Sequence, residues 1–230
     1  MERSGGGSLQ VVQGDKTTLV HRACIALSAV RRSAILAAIA CLLFGLSIPA
    51  GIRAQQGART AQANLNQLVQ GAHTILRGFV VSTRVEPHPQ FSNLQTVVVT
   101  MQVSRVLKGE AVQTYTFRQF IWDERDLGNA GGYLKSGEIL LFLNPISPYG
   151  LTSPVGLEQG RFRVTRDAKG KGSAINGRGN LGLFEGMPAK VSERGVVLSK
   201  AAQMMMQKSA GQAPLDTLED TIVRLVGAGQ

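Results

Sequence analysis

Apolar and polar residues alternate along much of the chain after residue 72, and this period of two predicts β-strands. The clearest run lies at 97–104, where Val97, Val99, Met101 and Val103 share one parity and the other parity is mostly polar. Further strands are predicted at 75–85, 112–122, 139–143 and 161–165, with short ones at 181–184 and 196–198. The segment 139–143 is apolar at every position, which predicts a strand buried on both faces.

The first of these strands has Ile75, Phe79, Val81 and Val85 on one parity. Segments rich in Gly, Pro and Asn separate the strands and predict turns or loops. They lie at 86–93, 126–138, 145–150 and 167–180. Residues 177–182 match the pattern Gly-x-Gly-x-x-Gly, but a dinucleotide-binding fingerprint must follow a strand and open a helix. Basic loop residues precede this match and a β-like segment follows it, so we interpret it as a turn and expect no cofactor.

The period becomes helical near the C-terminus. A helix is predicted at 199–208, with the methionine run 204–206 filling core space, and a second helix after Pro214. The spacing of Asp216 and Glu219 is that of a capping box at the start of the second helix. The apolar stripe of that helix is formed by Leu218, Ile222, Leu225 and Val226. We expect the stripe to pack on the strands, with docking to a partner as the alternative.

Five or more strands followed by a helix predict a mainly β fold, namely a small OB-like barrel or a sandwich with a C-terminal helix. The β-barrel domain is expected at 72–198 and the C-terminal helical segment at 199–230. A flexible linker, with a helical turn near Leu65, Leu68 and Val69, is expected at 55–71. Residues 1–54 are predicted to be a signal peptide or a membrane anchor.

The N-terminal prediction depends on one uncharged stretch. Arg31 and Arg32 precede residues 33–52, which carry no charge, and the small residue Ala54 follows. A basic N-terminal region, a short apolar region and a small residue at the cleavage site are typical of a secretory signal peptide, here cleaved after Ala54. The alternative is an uncleaved helix with its basic end in the cytoplasm. We therefore expect an exported protein, periplasmic or extracellular, or alternatively one anchored in the inner membrane.

Composition excludes some classes. The 230 residues carry a net charge of +10, and 43% of them are hydrophobic, which excludes wholesale disorder. Both cysteines, Cys24 and Cys41, precede the predicted cleavage point. The exported part would therefore have no disulfide, and its stability would come from packing.

Short motifs in the strand region resemble a known group of proteins. They are Val106-Leu107-Lys108-Gly109, Gly132-Tyr133-Leu134, Gly137-Glu138 before the run 139–143, and Gly156-Leu157 followed by Gly160 and Phe162. Their order is similar to that in a group of uncharacterised bacterial exported proteins, which resemble the netrin-like module and the metalloproteinase-inhibitor domain. The resemblance implies an OB-type barrel. It does not carry the inhibitory mechanism, because that mechanism uses an N-terminal cysteine and the predicted mature chain has no cysteine.

Candidate chemistries are few. His73 and His88 are the histidines after the leader, and zinc sites use three or four protein ligands, so we expect no metal. Asp123, Glu124 and Asp126 cluster after Trp122, and we interpret them as a solvated turn in which Arg125 balances some of the charge. A hydrolase that uses carboxylates near Asp123 is the alternative. Trp122 itself is expected to be buried, with an exposed contact residue as the alternative.

One basic segment favours an anionic partner. It contains Arg161, Arg163, Arg166, Lys169, Lys171 and Arg178. Asp167 is the one acidic residue within these 18 positions, and Arg161 and Arg163 fall on one strand face. Such a patch attracts phosphate, carboxylate or sulfate polymers. The alternative is an edge strand whose charges prevent pairing with another strand.

The sequence thus predicts a non-catalytic binding or interaction module of the cell envelope. The expected ligand-binding residues are Arg161, Arg163, Arg166, Lys169, Lys171, Trp122 and Tyr149. The expected partner is an anionic envelope polymer or an acidic protein surface, with no nucleic acid. Membrane contact is expected only through residues 33–52, if these are retained. The alternatives are the hydrolase and a membrane-anchored structural or assembly component.

Overall fold

The structure is a computed structural model, and it describes residues 60–187, 189, 193 and 195–229. The predicted signal or anchor segment lies outside the described residues. Within the described part of the chain, no helix has both the length and the apolar character needed to cross a membrane.

The described residues form a mainly β fold, as predicted. The strands are β1 (Thr74–Pro87), β2 (Gln95–Lys108), β3 (Thr114–Phe120), β4 (Glu138–Leu143), β5 (Arg161–Arg166), β6 (Gly172–Asn176) and β7 (Ala213–Pro214). They form one sheet in the order β3-β2-β1-β4-β5-β6-β7, and each pair of neighbours is antiparallel. The helices are α1 (Leu65–Gly71), α2 (Lys200–Met206) and α3 (Leu215–Gly227). Short 3₁₀ helices lie at Glu124–Asp126, Ala130–Gly132 and Leu157–Gln159.

The sheet has a hydrophobic core on each face, and β4 contributes to both. Leu140 and Phe142 point into the core beneath the helices, which also holds Leu218 of α3. Leu141 and Leu143 point into the opposite core, formed by residues of β1, β2 and β3. Every residue of β4 is buried. The prediction from the continuous apolar run is therefore confirmed.

Strand β1 does not keep one apolar face. The β1–β2 register shifts at three points: the first two leave Leu107 and Ser104 of β2 unpaired, and the third leaves Val81 of β1 unpaired. Ile75 is buried, but Phe79 is 43% exposed, and Leu76 and Val80 occupy the second core instead. The predicted face of Ile75, Phe79, Val81 and Val85 is wrong because the opposite parity is the buried one from Leu76 to Val80, and the bulge at Val81 interrupts the period of two beyond it.

One loop assignment and two strand assignments are also wrong. The segment 167–180, predicted to be a loop, contains β6, which pairs with β5 across a turn at Asp167. The hydrophobic alternation of β6 is weak because its inward residues, Gly172, Ala174 and Asn176, are small or polar. There is no room for a larger side chain at Gly172, since even a Cβ would lie 2.6 Å from Leu215 Cδ2. The segments predicted as strands at 181–184 and 196–198 are turns and irregular chain. Leu183 and Phe184 still fill the core beneath the helices.

The helices pack on one face of the sheet. Within the predicted linker, residues 65–71 form α1, and Leu65 and Leu68 are fully buried. The predicted stripe of α3 is confirmed, since Leu218, Ile222 and Leu225 are buried. The predicted capping box is wrong: α3 begins at Leu215 after Pro214, with no side-chain cap.

Glu219 of α3 joins a network of ion pairs instead of capping the helix. Its two carboxylate oxygens accept hydrogen bonds from Arg77 Nε at 2.6 Å and from Arg105 Nη1 at 2.7 Å. Arg77 also donates to Glu138, and Arg166 donates to both oxygens of Glu138 at 2.8 Å. Burial alone would raise the pKa of Glu138, but the hydrogen bonds from Arg166 and Arg77 outweigh burial and lower it. The network connects β1, β2, β4, β5 and α3.

A short irregular segment, 151–155, follows β4 in the chain and forms backbone bridges to both β3 and β4. Leu151 forms a parallel bridge with Arg118 of β3, and Pro154 forms an antiparallel bridge with Leu143 of β4. Val155 N–H also donates to the Phe142 carbonyl at 2.7 Å. Strand β4 is therefore bonded to β1, to β5 and to this segment.

Candidate functional site

Trp122 lies on the surface at the mouth of a cavity. It follows the end of β3, where Ile121 takes the buried position and the next side chain points outward. Trp122 is 59% exposed, so the expectation that it is buried is wrong. Its ring meets Phe120 edge to face, with ring centroids 4.9 Å apart. This aromatic pair, in which Trp122 is exposed and Phe120 is half-buried, is the first component of the candidate site.

The cavity beside Trp122 has a volume of about 170 Å³, and we call it the Trp122 cavity. Its walls combine aromatic and aliphatic groups, carboxylates and one guanidinium. The lining residues include Phe120, Trp122, Leu157, Asp123, Asp126, Glu158 and Arg161. Pockets of this mixed character suit small polar ligands that also have an apolar face.

Asp123 is held by its neighbour Arg125. The Arg125 side chain donates from Nε to both carboxylate oxygens, at 2.9 and 3.0 Å, and its backbone N–H donates to Oδ1 at 2.9 Å. These side-chain and backbone hydrogen bonds lower the pKa of Asp123 to about 2. The predicted turn in which Arg125 balances charge is confirmed. An acid of this pKa is ionised at neutral pH and cannot donate a proton there.

Arg161 of β5 forms the inner wall of the cavity. Its guanidinium lies over the ring of Tyr133, 4.8 Å from the centroid, and donates to the Glu158 carboxylate and to the Gly131 carbonyl. Tyr133 is buried, which raises its pKa, and its hydroxyl donates to Gln119 at 2.6 Å. Arg161 is therefore fixed in position and its donors are largely used within the protein.

A second cavity lies on the other side of Arg161, and we call it the Arg163 cavity. Its volume is about 250 Å³, and Arg161 and Glu158 line it as they line the Trp122 cavity. The other lining residues include Gly132, Leu134, Gly137, Glu138, Ile139, Arg163, Val164, Ile175 and Asn176. The Arg161–Glu158 ion pair is thus a wall common to both cavities.

The basic segment does not form one continuous patch. Arg161 and Arg163 share one strand face, as predicted, whereas Arg166 lies on the other face and pairs with Glu138. Arg178 donates to the Thr60 carbonyl at 3.0 Å. Asp167 is the one acidic residue within the segment, but Glu138 and Glu158, which precede the segment in the chain, supply further counter-charges.

The turn of the β5–β6 hairpin has exposed lysines. Asp167 Oδ1 accepts hydrogen bonds from the backbone N–H groups of Lys169 and Lys171, at 2.9 and 2.8 Å. The carboxylate therefore organises the turn, and both lysine side chains extend into solvent. Neither lysine lines the Trp122 cavity or the Arg163 cavity.

Tyr149 belongs to a separate aromatic group. It is 56% exposed and meets Phe91 edge to face, while Phe91 stacks on His88 with ring centroids 5.2 Å apart. His88 is buried, and its Nε2 lies 2.9 Å from the Tyr149 carbonyl oxygen. His73 is exposed just before β1. Among the described residues, no three His, Cys, Asp or Glu side chains are grouped as a metal site requires.

The glycine-rich motif at 177–182 is a turn, as predicted. It follows β6 directly, so a strand does precede it, contrary to the expected loop. Gly179 and Gly182 have positive φ angles of 66°. More turns follow them at 183–186.

Sequence reasoning missed Phe120, Leu134, Tyr133 and Glu158 as parts of the site. One local signal was available for Glu158, since it precedes Arg161 by three residues and pairs with it. The others come from different turns that the fold brings to β5. Comparison of the chain with family models, with curated proteins and with solved structures gives no match.

Proposed function

We propose that this protein is an exported, non-catalytic binding module of the cell envelope, and that it binds an anionic saccharide polymer in the Trp122 cavity. The observation that carries the proposal is the exposed Trp122 ring, set against Phe120 beside the carboxylates of Asp126 and Glu158. An exposed aromatic face offers apolar contact to the C–H face of a sugar ring. Carboxylates accept hydrogen bonds from sugar hydroxyl groups.

The polymeric nature of the ligand is inferred from the arrangement of the two cavities. They share the Arg161–Glu158 wall, so one extended molecule could contact Trp122 on one side and Arg163 on the other. The negative charge of the ligand would be met on the Arg163 side. The exposed lysines of the hairpin, Lys169 and Lys171, would add long-range attraction that salt weakens.

We further propose that β1–β4 and the segment 151–155 form a small OB-like barrel, in line with the resemblance to netrin-like and inhibitor-type barrels. The parallel bridge of Leu151 to Arg118 and the antiparallel bridge of Pro154 to Leu143 support a ring closed between β3 and β4. The Trp122 cavity would lie at the closure, since Pro154 is among its lining residues. In this arrangement the ligand would bind where the segment 151–155 joins β3 to β4.

Binding is tested by sedimentation of the purified protein with insoluble peptidoglycan, a carboxylate-bearing envelope polymer. Trp122→Ala should weaken binding about tenfold or more, because a central aromatic contact is removed. Trp122→Phe should retain part of the affinity, since a smaller ring remains. Tyr149→Ala is the matched control, because Tyr149 is exposed to a similar degree but does not line the cavity. Equal losses in the alanine variants, or none in Trp122→Ala, would contradict the proposal.

Export is tested separately by the mature N-terminus. The pattern of Arg31, Arg32 and the uncharged residues 33–52 supports a signal peptide. Protein recovered from the native host should begin at Gln55 and leave the cell with the periplasmic or extracellular fraction. An intact N-terminus in the membrane fraction would support the anchored structural component instead.

A hydrolase is the second candidate, since Asp123 and Asp126 line the same cavity as Trp122. Glycosidases need one protonated and one ionised carboxyl group. Because Asp123 is held ionised by Arg125, it could act only as nucleophile or base, and Asp126 or Glu158 would have to be the acid. Release of sugar fragments that Asp123→Asn abolishes would establish the hydrolase and exclude a purely binding role.

A further inference from the structure

The ion pairs around the Arg163 cavity leave Arg163 without a partner among the described residues. Four residues with charged side chains line the cavity, namely Glu138, Glu158, Arg161 and Arg163. Glu138 is paired with Arg77 and Arg166, and Glu158 is paired with Arg161. Arg163 is exposed, and no described carboxylate lies within ion-pair distance of its guanidinium. Both glutamates therefore have an arginine partner, whereas Arg163 has no carboxylate partner in the part of the chain that the structure describes.

The surroundings of Arg163 are largely apolar. Its neighbours across the sheet are Ile139 of β4 and Ile175 of β6, which share its face and line the same cavity. Leu134, which is 64% exposed, completes the aliphatic wall from the turn before β4. A guanidinium bordered by three aliphatic side chains suits a ligand that carries its charge on a short alkyl group.

We propose that the Arg163 cavity is a binding site for a carboxylate carried on a short branched aliphatic group. The planar guanidinium can donate two parallel hydrogen bonds to one carboxylate. The aliphatic part of the ligand then covers Leu134, Ile139 and Ile175. The site itself does not depend on the Trp122 cavity; the assignment of the carboxylate to an acidic arm of a saccharide polymer rests on the proposed function.

A carboxylate is preferred over a phosphate because of the charge available. Phosphate carries up to two negative charges, whereas the cavity offers one cation without a carboxylate partner, Arg163, and also contains the Glu158 carboxylate. The Glu158 carboxylate would repel a dianion more strongly than a monoanion. A monoanion on an apolar stem therefore fits both the charge and the walls.

The test is a titration of the full chain with 3-methylbutanoate, followed by NMR of its methyl groups. The methyl signals of Leu134, Ile139 and Ile175 should shift in a saturable manner. The neutral amide 3-methylbutanamide should cause little shift at the same concentration. Arg163→Gln should weaken carboxylate binding about tenfold or more, because a charge-assisted hydrogen-bond donor is removed.

Lys169→Gln is the matched control, since it removes one positive charge from the same hairpin without touching the cavity. It should weaken binding far less than Arg163→Gln does, because it removes long-range attraction and no direct contact with the ligand. The proposal is overturned if the amide binds as well as the acid, if Lys169→Gln weakens binding as much as Arg163→Gln, or if inorganic phosphate shifts the three signals at lower concentration. If peptidoglycan binding through Trp122 fails while the methyl shifts persist, the proposed function fails and the site stands.

Discussion

Replacing Phe142 by alanine is expected to lower the free energy of unfolding by about 3–5 kcal/mol. Phe142 is fully buried at the centre of the sheet and packs against Phe162, with ring centroids 5.5 Å apart. The side chain belongs to the core beneath the helices, and its removal would leave a cavity there. Strand β4 cannot rotate or shift to fill that cavity, because its opposite face is also packed. Urea denaturation measured by circular dichroism gives the value.

The control is Phe79→Ala, the same substitution on the neighbouring strand β1 at a position that is half exposed. Its effect should be less than half as large. Leu141→Ala tests the opposite core and is expected to cost about 2–5 kcal/mol. If Leu141→Ala is as mild as Phe79→Ala while Phe142→Ala is severe, β4 is buried on one face only and the two-core description is wrong.

Replacing Glu219 by glutamine is expected to lower the free energy of unfolding by about 3 kcal/mol. The side chain is 1% exposed and holds Arg77 and Arg105 with both oxygens. Glutamine has the same shape, but one of its two polar ends is a donor and would face a guanidinium that also donates. Arg77, which is itself largely buried, would lose half of its counter-charge. Denaturant titration at neutral pH measures the loss.

Asp220→Asn is the control on the same helix, because Asp220 and its partner Arg224 are both exposed. Loss of that surface ion pair should change the free energy of unfolding little. The pH dependence of the free energy of unfolding is a second measurement. Because the pKa of Glu138 is lowered in the folded state, its ion pairs stabilise the fold fully above the usual carboxyl pKa, and this stabilisation is lost as the pH falls through the folded-state pKa. Equal effects of Glu219→Gln and Asp220→Asn would show that the buried network does not hold α3 to the sheet.

Strands were predictable where one physical requirement dominated the pattern. Strand β2 alternates because one face meets the core and the other is polar, and its predicted face from Val97 to Met101 is buried. Strand β4 is continuously apolar because both faces are covered. The stripe of α3 was visible for the same reason. In each case burial alone decides which residue types are tolerated.

Prediction failed where a distant partner decides the role of a residue. Asp216 and Glu219 have the spacing of a capping box, but Arg77 and Arg105 lie more than 100 positions away and bind Glu219 instead. Strand β6 was hidden because its inward positions must be small beneath Leu215. No local pattern reports either constraint, since each depends on packing between remote segments.

The candidate site was only partly predictable for a similar reason. Trp122 and Arg163 were identified by residue type, but the burial expected for Trp122 was wrong because Ile121 takes the inward position. The six cations of the basic segment looked equivalent in sequence. The fold separates them by pairing Arg161 with Glu158 and Arg166 with Glu138, whereas Arg163 lines the Arg163 cavity without a carboxylate partner among the described residues.

The most direct test of ligand binding beside Trp122 is the fluorescence of that residue, because it is the one tryptophan of the chain. The full protein is titrated with a soluble peptidoglycan fragment, and the emission maximum and intensity are recorded. A saturable blue shift is predicted, since the sugar ring removes water from the indole, and Tyr149→Ala should give the same curve. An emission spectrum that stays unchanged while the fragment demonstrably binds would place the ligand elsewhere and contradict the account.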